Sequence, residues 1–222
     1  RHDSELKAAF GYYDDAPFEK NFLSQYKNLL HHYVQQNANE NASTFWTGSG
    51  AIRREAFNQI GGFDEEFTCI EDIELGYRLR GAGYIIRALK HIQVKHLKRW
   101  DVLSLLKTDF FCRALPWTDL ILNEGSFPDE PSVNRSGRLS VICANLILLS
   151  LCGAFWYRWL LLPTALLICG LIALKWDLFC FFFKKRGLLF TIKTVFWQWF
   201  HSFYSGLAFA IGLAKHNMKS RR

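Results

Sequence analysis

Two long uncharged apolar segments near the C-terminus constrain the fold most strongly. Residues 139–156 are 18 residues without a charge, and residues 159–174 are 16. A helix that crosses a bilayer needs about 20 mostly apolar residues. Because only the tight turn Tyr157-Arg158 separates the two segments, they predict a transmembrane helical hairpin.

The charge balance differs between the two parts of the chain. Residues 138–222 carry 11 Lys and Arg against one Asp, a net charge of +10, whereas residues 1–137 carry 16 Lys and Arg against 19 Asp and Glu, a net charge of −3. Basic residues flanking apolar segments are typical of the cytoplasmic side of a membrane protein. This pattern predicts an integral protein of a bacterial-type inner or plasma membrane, with its soluble part in the cytoplasm. It argues against nucleic-acid binding, which places basic residues on the soluble part.

Two further segments are amphipathic and aromatic. Residues 98–122 predict a helix at the membrane interface, and residues 188–213 favour an in-plane or re-entrant helix over a third span. We therefore expect four regions: an α/β region (1–97), an interfacial helix with its linker (98–137), a transmembrane hairpin (138–186), and an interfacial or third transmembrane helix with a basic tail (187–222).

Periodicity and turn residues predict a mixed α/β order before the membrane segments. Helices are expected where apolar residues recur every three or four positions, and strands where β-branched and aromatic residues alternate. The predicted elements are a helix end with a loop (1–11), a helix (18–36), a strand entering a loop (44–52), a short helix (54–60) that Gly61-Gly62 ends, a helix (70–80) and two strands (84–89 and 92–97). His31 and His32 are expected to form a polar helix edge and a packed ring.

An acidic pair, Glu71-Asp72, stands at the start of the helix predicted over 70–80. Exposed N–H groups and the helix dipole keep a carboxylate ionised there, so that it can take a proton from an attacking hydroxyl. The alternative is a helix N-terminus that simply favours acidic residues.

Three other features have both a functional and a plain structural interpretation. The loop Thr47-Gly48-Ser49-Gly50 can bring N–H groups close to an oxyanion or a sugar hydroxyl, or it is an ordinary turn. Arg53 and Arg54 can neutralise phosphate, or they begin a solvated helix. His96, at the end of a predicted strand, is a metal ligand or a structural histidine.

The strings FWTGSGAIRREAFNQIGGFDEEF and IEDIELGYRLRGAGY resemble the acceptor half of a family 2 glycosyltransferase of the GT-A fold. The region is similar to that of cellulose synthases and related membrane glycosyltransferases, over about residues 8–122. The resemblance implies an α/β fold class, with a partial, Rossmann-like GT-A domain followed by C-terminal transmembrane helices. It also implies an enzyme of the hexosyltransferase class. Such an enzyme transfers a sugar, with inversion, from a nucleotide-diphosphate sugar to a hydroxyl of a lipid-linked or membrane-proximal saccharide.

The same resemblance implies residue roles. Asp72 matches the general base and Glu71 its partner. His96 lies where many GT-A enzymes place a late metal-binding histidine. The predicted substrate contacts are Phe45, Trp46, Gly48, Ser49, Arg53, Arg54, Arg99, Trp100, Arg113 and Trp117.

The chain departs from the cellulose synthases in two respects. The nearest matches to their Gln-x-x-Arg-Trp motif, Arg99-Trp100 and Arg113 with Trp117, lack the Gln, which favours transfer of a single sugar. The nucleotide-binding strands and the Asp-x-Asp metal motif have no counterpart. We therefore expect an N-terminally truncated sequence, inactive as a fragment, with Mg or Mn bound mainly by the missing half. The alternatives are a non-catalytic membrane scaffold with a degenerate glycosyltransferase fold and a processive polysaccharide synthase.

Overall fold

The structure, a computed structural model, describes residues 5–124 and 135–219. The chain divides into two compact units, residues 1–131 and 132–222. The first unit mixes strands and helices, and the regular elements of the second, over its described residues, are all helical. The predicted α/β class is confirmed for the first unit. Within the linker predicted at the end of region 98–137, residues 125–134 lie outside the described part.

A three-stranded sheet forms the centre of the first unit. Its strands are β1 (Leu6–Tyr13), β2 (Gly50–Ile52) and β3 (Ile85–Val94), in the order β2-β1-β3. β1 is antiparallel to β2 and parallel to β3. A helix end and a loop were predicted over 1–11, of which residues 1–4 lie outside the described part. Over residues 6–11 the prediction was wrong, because pairing on both sides makes this segment the central strand.

β3 is one irregular strand where two were predicted. Phe10 pairs with Ala88, but Tyr12 pairs with Gln93, so β3 contains extra residues between the two contacts. A Cβ atom on Gly11 would lie 2.5 Å from the carbonyl oxygen of Ile92. The absence of a side chain at Gly11 therefore allows the two strands to stay in contact across the irregularity.

Three helices surround the sheet: α1 (Phe22–Gln36), α2 (Arg54–Gln59) and α3 (Glu71–Gly81). They confirm the three predicted helices, although α1 begins four residues later than expected. Gly61 and Gly62 have φ values of 84° and 75°, a conformation that glycine adopts at little cost. The strand predicted over 44–52 is mostly irregular, with a 3-10 turn at Thr47–Ser49 before β2.

α3 packs closely on the segment that leads to the 3-10 turn. Leu75 and Leu79 are fully buried in a core that includes Phe10 and Phe45. A Cβ atom on Gly76 would overlap the backbone nitrogen of Phe45 and lie 2.6 Å from the Cα of Thr44. The position of α3, and of the acidic pair at its start, therefore depends on a glycine at residue 76.

Gly76→Ala is expected to destabilise the protein by about 1–3 kcal/mol, because the added methyl group pushes α3 away from rigid backbone. Gly81→Ala is the matched control in the same helix, since a Cβ atom added at Gly81 would have no neighbour within 4 Å. Thermal denaturation of the purified protein in detergent measures both effects. Equal midpoints for the two variants would contradict the close approach.

The first unit continues with α4 (Val102–Lys107), a π-helical turn at Thr108–Ala114 and α5 (Leu115–Glu124). Asp101 caps α4 by accepting a 2.8 Å hydrogen bond from the backbone of Ser104. The predicted interfacial helix is thus a broken helix. Its central turn is wider than an α-helix, a feature found frequently at functional sites.

The second unit contains α6 (Arg135–Ala154), α7 (Leu161–Leu174) and α8 (Trp176–Lys219). α8 bends at Gly187, where φ is 78° and ψ is −177°. Trp199 Nε1 donates a 3.2 Å hydrogen bond to the carbonyl of Ala144, which links α8 to α6.

One described helix, α6, is by itself long and apolar enough to cross a bilayer, with a mean hydropathy of 1.7 over its most apolar window. The segments Arg158–Leu174 and Trp176–Met218 meet the same condition only together, across a bend of 69°. Length and composition therefore allow one crossing among the described residues, or two if the bent pair is a single span. The hairpin of two separate spans stays a prediction.

Candidate active site

Glu71 and Asp72 lie at the N-terminus of α3. The Asp72 carboxylate accepts a 2.9 Å hydrogen bond from the backbone N–H of Ile73 and another from the backbone of Thr47. Burial raises the pKa of Asp72 above its ordinary value, and the neighbouring charge of Glu71 raises it further. The two backbone hydrogen bonds and the positive charge of Arg113 oppose this rise.

The acidic pair faces an open cavity of about 290 Å³ in the first unit. Aromatic rings, side-chain amides and hydroxyl groups make up most of its wall. Besides the acidic pair, its polar and aromatic lining includes Tyr13, His31, Gln35, Asn39, Asn41, Ser43, Thr44, Phe45, Trp46, Arg113 and Trp117. Such a wall suits a polar ligand with flat apolar faces and many hydroxyl groups.

One carboxylate oxygen in this cavity lacks a partner. Glu71 Oε2 is buried and accepts no hydrogen bond from the part of the chain that the structure describes. A buried polar atom without a partner costs about 1–3 kcal/mol, so a water or a ligand that donates a hydrogen bond to Glu71 Oε2 would be stabilised in this cavity.

Tyr13 and Trp46 form an aromatic wall of the cavity. The rings of Tyr13 and Trp46 meet edge to face, with their centroids 4.4 Å apart. A Cβ atom on Gly48 would lie 2.5 Å from the Trp46 ring, so the indole packs directly on the glycine backbone. Gly48 therefore sets the position of Trp46, although it does not line the cavity itself.

Arg113 brings a positive charge to the cavity from the π-helical turn. Its Nη1 lies 3.2 Å from Nε2 of His31, which is on α1. Because a guanidinium group only donates hydrogen bonds, His31 accepts on this nitrogen. His31 also stacks on Tyr13, with ring centroids 5.9 Å apart, so the Arg113 side chain is held against the aromatic wall.

Trp117 is the second ring that the broken helix contributes. Its Nε1 donates a 3.0 Å hydrogen bond to the hydroxyl of Tyr77 on α3. This bond orients the indole of α5 relative to the helix that carries Asp72.

His96 lies beside this cavity, after the end of β3. Its ring centroid is 4.2 Å from that of Tyr13 and 6.4 Å from that of Trp100. Burial and the positive charges of Lys98, Arg113 and Lys27 lower the pKa of His96 to about 4. The imidazole is therefore neutral near pH 7, which is the form that can bind a metal.

The residues described do not make a complete metal site. Within 5–124 and 135–219, no three His, Cys, Asp or Glu side chains come together as a possible metal-binding group. The charges near His96 are cations, which disfavour a divalent ion there. The role of His96 as a metal ligand stays a prediction.

The other predicted contact residues lie outside the cavity lining. Arg53 and Arg54 are exposed at the start of α2, and Arg53 Nε donates to the carbonyl of Leu6 at 3.3 Å. Arg99 is exposed and forms an ion pair with Glu19 at 3.3 Å. Ser49 is absent from the lining, and the ring of Trp100 is buried, with Lys98 Nζ 3.9 Å from its centroid.

Several residues that line the cavity were not predicted from the sequence. Among them are Tyr13, His31 and the amides of Gln35, Asn39 and Asn41. A signal for Tyr13 exists, because ligands of parallel sheets bind beyond the carboxyl ends of the strands. Tyr13 ends β1, and His96 follows β3, so the two meet at one edge. His31 was expected to be part of a polar helix edge and a packed ring, and its hydrogen bond to Arg113 was not predicted.

The cavity thus brings two carboxylates, a guanidinium group and several aromatic rings together. A family model described as Glycosyl transferase family group 2 matches residues 12–214. The chain belongs to this family of glycosyltransferases, which confirms the family 2 resemblance. The family implies a nucleotide-sugar donor and an acceptor, and its members are generally metal-dependent.

A shorter stretch of 48 residues is 46% identical to the N-acetylglucosaminyl-diphospho-decaprenol L-rhamnosyltransferase of Mycobacterium tuberculosis, strain CDC 1551 / Oshkosh. The same identity is found with the protein of that name from a second strain. The matched stretch covers 21% of this chain and 16% of each relative. No solved structure matches the chain.

Proposed function

We propose that this chain forms the acceptor side of an inverting glycosyltransferase that transfers one sugar from a nucleotide-diphosphate sugar to a lipid-linked saccharide. The observation that carries the proposal is the Asp72 carboxylate. It faces the cavity, two backbone N–H groups fix its direction, and its pKa is raised. A carboxylate of this kind serves as a general base toward a hydroxyl group.

In the reaction, Asp72 takes the proton of the acceptor hydroxyl. The hydroxyl oxygen attacks the anomeric carbon of the donor sugar, and the bond from that carbon to the diphosphate oxygen breaks on the opposite face. The new glycosidic bond has inverted configuration, and the nucleoside diphosphate leaves with its electron pair. Trp46 and Trp117 stack on sugar faces, and Arg113 places a positive charge near the reacting groups.

A divalent metal such as Mg or Mn would supply positive charge to the leaving diphosphate. His96 is the residue that the family resemblance suggests as a ligand from this chain, but the surrounding cations Lys98, Arg113 and Lys27 oppose a divalent ion there, so most of the metal's ligands would have to come from elsewhere. The described residues do not complete a metal site. The proposed roles in proton transfer and sugar binding therefore belong to side chains of this chain alone.

Two observations support a lipid-linked acceptor at a membrane. The relatives with the 48-residue match are named for a diphospho-decaprenol acceptor. α6 is long and apolar enough to span a bilayer, and basic residues flank the apolar segments. We place the protein in the membrane with the first unit in the cytoplasm, where nucleotide sugars are available.

A transfer assay tests the proposal. Membranes containing the protein expressed from its complete coding sequence are incubated with N-acetylglucosaminyl-diphospho-polyprenol, Mg²⁺ or Mn²⁺ and a panel of radiolabelled nucleotide sugars. We expect one donor to label the lipid, and NMR of the product to show an inverted anomeric centre. No labelled lipid with any donor would instead support a non-catalytic scaffold, and products with many added sugars would support a processive synthase.

The pH dependence of this transfer is expected to follow Asp72. The base acts only when ionised, so kcat/KM falls as the pH drops through its pKa, which lies above the ordinary 3.8. Glu71→Gln removes a charge that raises this pKa and should move the acid limb to lower pH. Arg113→Gln removes a charge that lowers it and should move the limb to higher pH. Shifts in the same direction, or none, would exclude Asp72 as the titrating group.

A further inference from the structure

Helix α8 of the second unit breaks at a glycine, and three basic residues stand directly before the break. Gly187 has a φ of 78° and a ψ of −177°, a backbone conformation that is almost confined to glycine. Lys184, Lys185 and Arg186 are all exposed. Residues 184–187 are called the basic bend below. The proposed transfer uses none of them.

Packing between the two parts of α8 holds the basic bend in shape. The rings of Phe182 and Phe190, on either side of Gly187, have their centroids 5.8 Å apart. In a straight helix, residues at this spacing in the chain are about 12 Å apart along the axis. Phe182 is also completely buried. The bend is therefore a packed feature of the second unit, and the three basic side chains are kept together on its surface.

An exposed apolar face of α8 begins at the basic bend. Leu188, Leu189, Ile192 and Phe196 are between 58% and 70% exposed. Residues 189, 192 and 196 follow the i, i+3, i+7 spacing that places side chains on one side of a helix. Thr194, on the opposite side, is completely buried. This part of α8 thus turns its polar side inward and presents apolar side chains outward, with cations at one end.

The charges around the basic bend have one sign. Asp177 is the single acidic residue in 138–222, against 11 Lys and Arg. Lys193 adds a fourth exposed cation, within the apolar stretch that follows the bend. Side chains on a helix lean toward its N-terminus, and a lysine can extend its ammonium group beyond an apolar surface, so Lys193 can direct its charge toward the bend. A ligand that matches this surface has an apolar body and a negatively charged head.

We propose that the basic bend and the apolar face after it form a binding surface for an anionic phospholipid. The acyl chains lie along the apolar side chains, and the phosphate lies against the cations. Each Lys or Arg near an anionic membrane surface strengthens binding by about 5-fold. A free phosphate would leave the apolar face uncovered, and an apolar protein segment would leave the cations without a counter-charge. The proposal rests on the membrane placement proposed above, but not on sugar transfer.

Photocrosslinking locates the bound lipid. The complete protein is reconstituted in phosphatidylcholine nanodiscs that contain a small fraction of phosphatidylglycerol with a photoreactive headgroup. We expect irradiation and peptide mapping to find label within residues 184–196. Phosphatidylcholine with the same photoreactive group is the control and should label this segment weakly. Equal labelling by the two lipids, or label only in other segments, would overturn the proposal, as would recovery of the protein in the soluble fraction instead of the membranes.

Charge variants test the cause of this selectivity. Lys184→Gln with Lys185→Gln should lower the preference for phosphatidylglycerol by about 10- to 30-fold, the effect of two lost cations. Lys184→Arg with Lys185→Arg keeps both charges and should keep the preference. Arg158→Gln with Lys215→Gln is the matched control, because it removes two exposed cations elsewhere in the second unit. Equal losses in the two Gln variants would indicate a general effect of net charge and overturn the site.

Competition separates a phospholipid from a lipid-linked substrate. Unlabelled phosphatidylglycerol should displace the photoreactive lipid, whereas a polyprenyl diphosphate at a far lower mole fraction should leave the labelling unchanged. Loss of label at that low fraction would assign the surface to the lipid-linked acceptor and contradict the phospholipid. Sugar transfer is measured on the same samples. Selective labelling without transfer would count against the proposed function alone, and transfer without selective labelling would count against this surface alone.

Discussion

Asp72→Asn is expected to lower sugar transfer by about 10²- to 10⁴-fold, the range that a positioned general base contributes. Asparagine keeps nearly the same shape but cannot accept the proton of the acceptor hydroxyl. Its side-chain oxygen can still accept the 2.9 Å hydrogen bond that Ile73 donates to Oδ1 of Asp72. The variant should therefore fold and reach the membrane normally. The assay is transfer by membranes that contain equal amounts of each protein.

Glu65→Gln provides the control for this change. Glu65 is an exposed carboxylate in the turn before α3 and is absent from the cavity lining. It is expected to transfer sugar at the wild-type rate. Near-normal turnover by Asp72→Asn would overturn its assignment as the base, whereas an equal loss in both variants would point to a general effect of lost negative charge.

Asp109→Asn is expected to destabilise the protein by about 3–5 kcal/mol, because it removes one partner of a buried ion pair. Lys27 Nζ lies 2.7 Å from Asp109 Oδ1, and each side chain is only 5% exposed. The pair joins α1 to the π-helical turn that carries Arg113. Without Asp109, the buried ammonium of Lys27 is left near the charges of Arg113 and Lys98. Thermal denaturation in detergent measures the loss.

The double variant Lys27→Met with Asp109→Leu tests whether lost pairing is the cause. Replacing both partners by apolar side chains of similar size should recover most of the stability. If the double variant is as unstable as Asp109→Asn, the loss comes from packing and not from an unpaired charge.

Stability should also depend on pH through Lys27. Burial is the main cause that lowers its pKa from 10.5 to about 8 in the folded protein. Between these values the unfolded chain binds more protons than the folded one, so this group makes stability rise with pH over that window. The defect of Asp109→Asn should shrink at alkaline pH, where Lys27 is neutral.

Local features of this protein were predictable from its sequence. Helix α3 could be located because acidic residues begin it, basic residues end it, and the Gly61-Gly62 turn precedes it. α6 could be located because one long apolar stretch is sufficient evidence for an apolar helix. Within the candidate site, Asp72, Phe45 and Trp46 were found because they belong to a contiguous family motif.

Features that depend on contacts between residues far apart in the chain were visible only in the tertiary structure. The segment Leu6–Tyr13 is a strand because β2 and β3 pair with it on both sides, which local propensity did not show. His31 and Arg113 are 82 positions apart, and the contact between their side chains forms only when α1 and the π-helical turn pack on one another. Periodicity reports which face of an element is buried, but not which partner covers it. For that reason the sequence alone was enough to identify Asp72 as the candidate carboxylate, whereas only the tertiary structure showed which residues form the cavity around it.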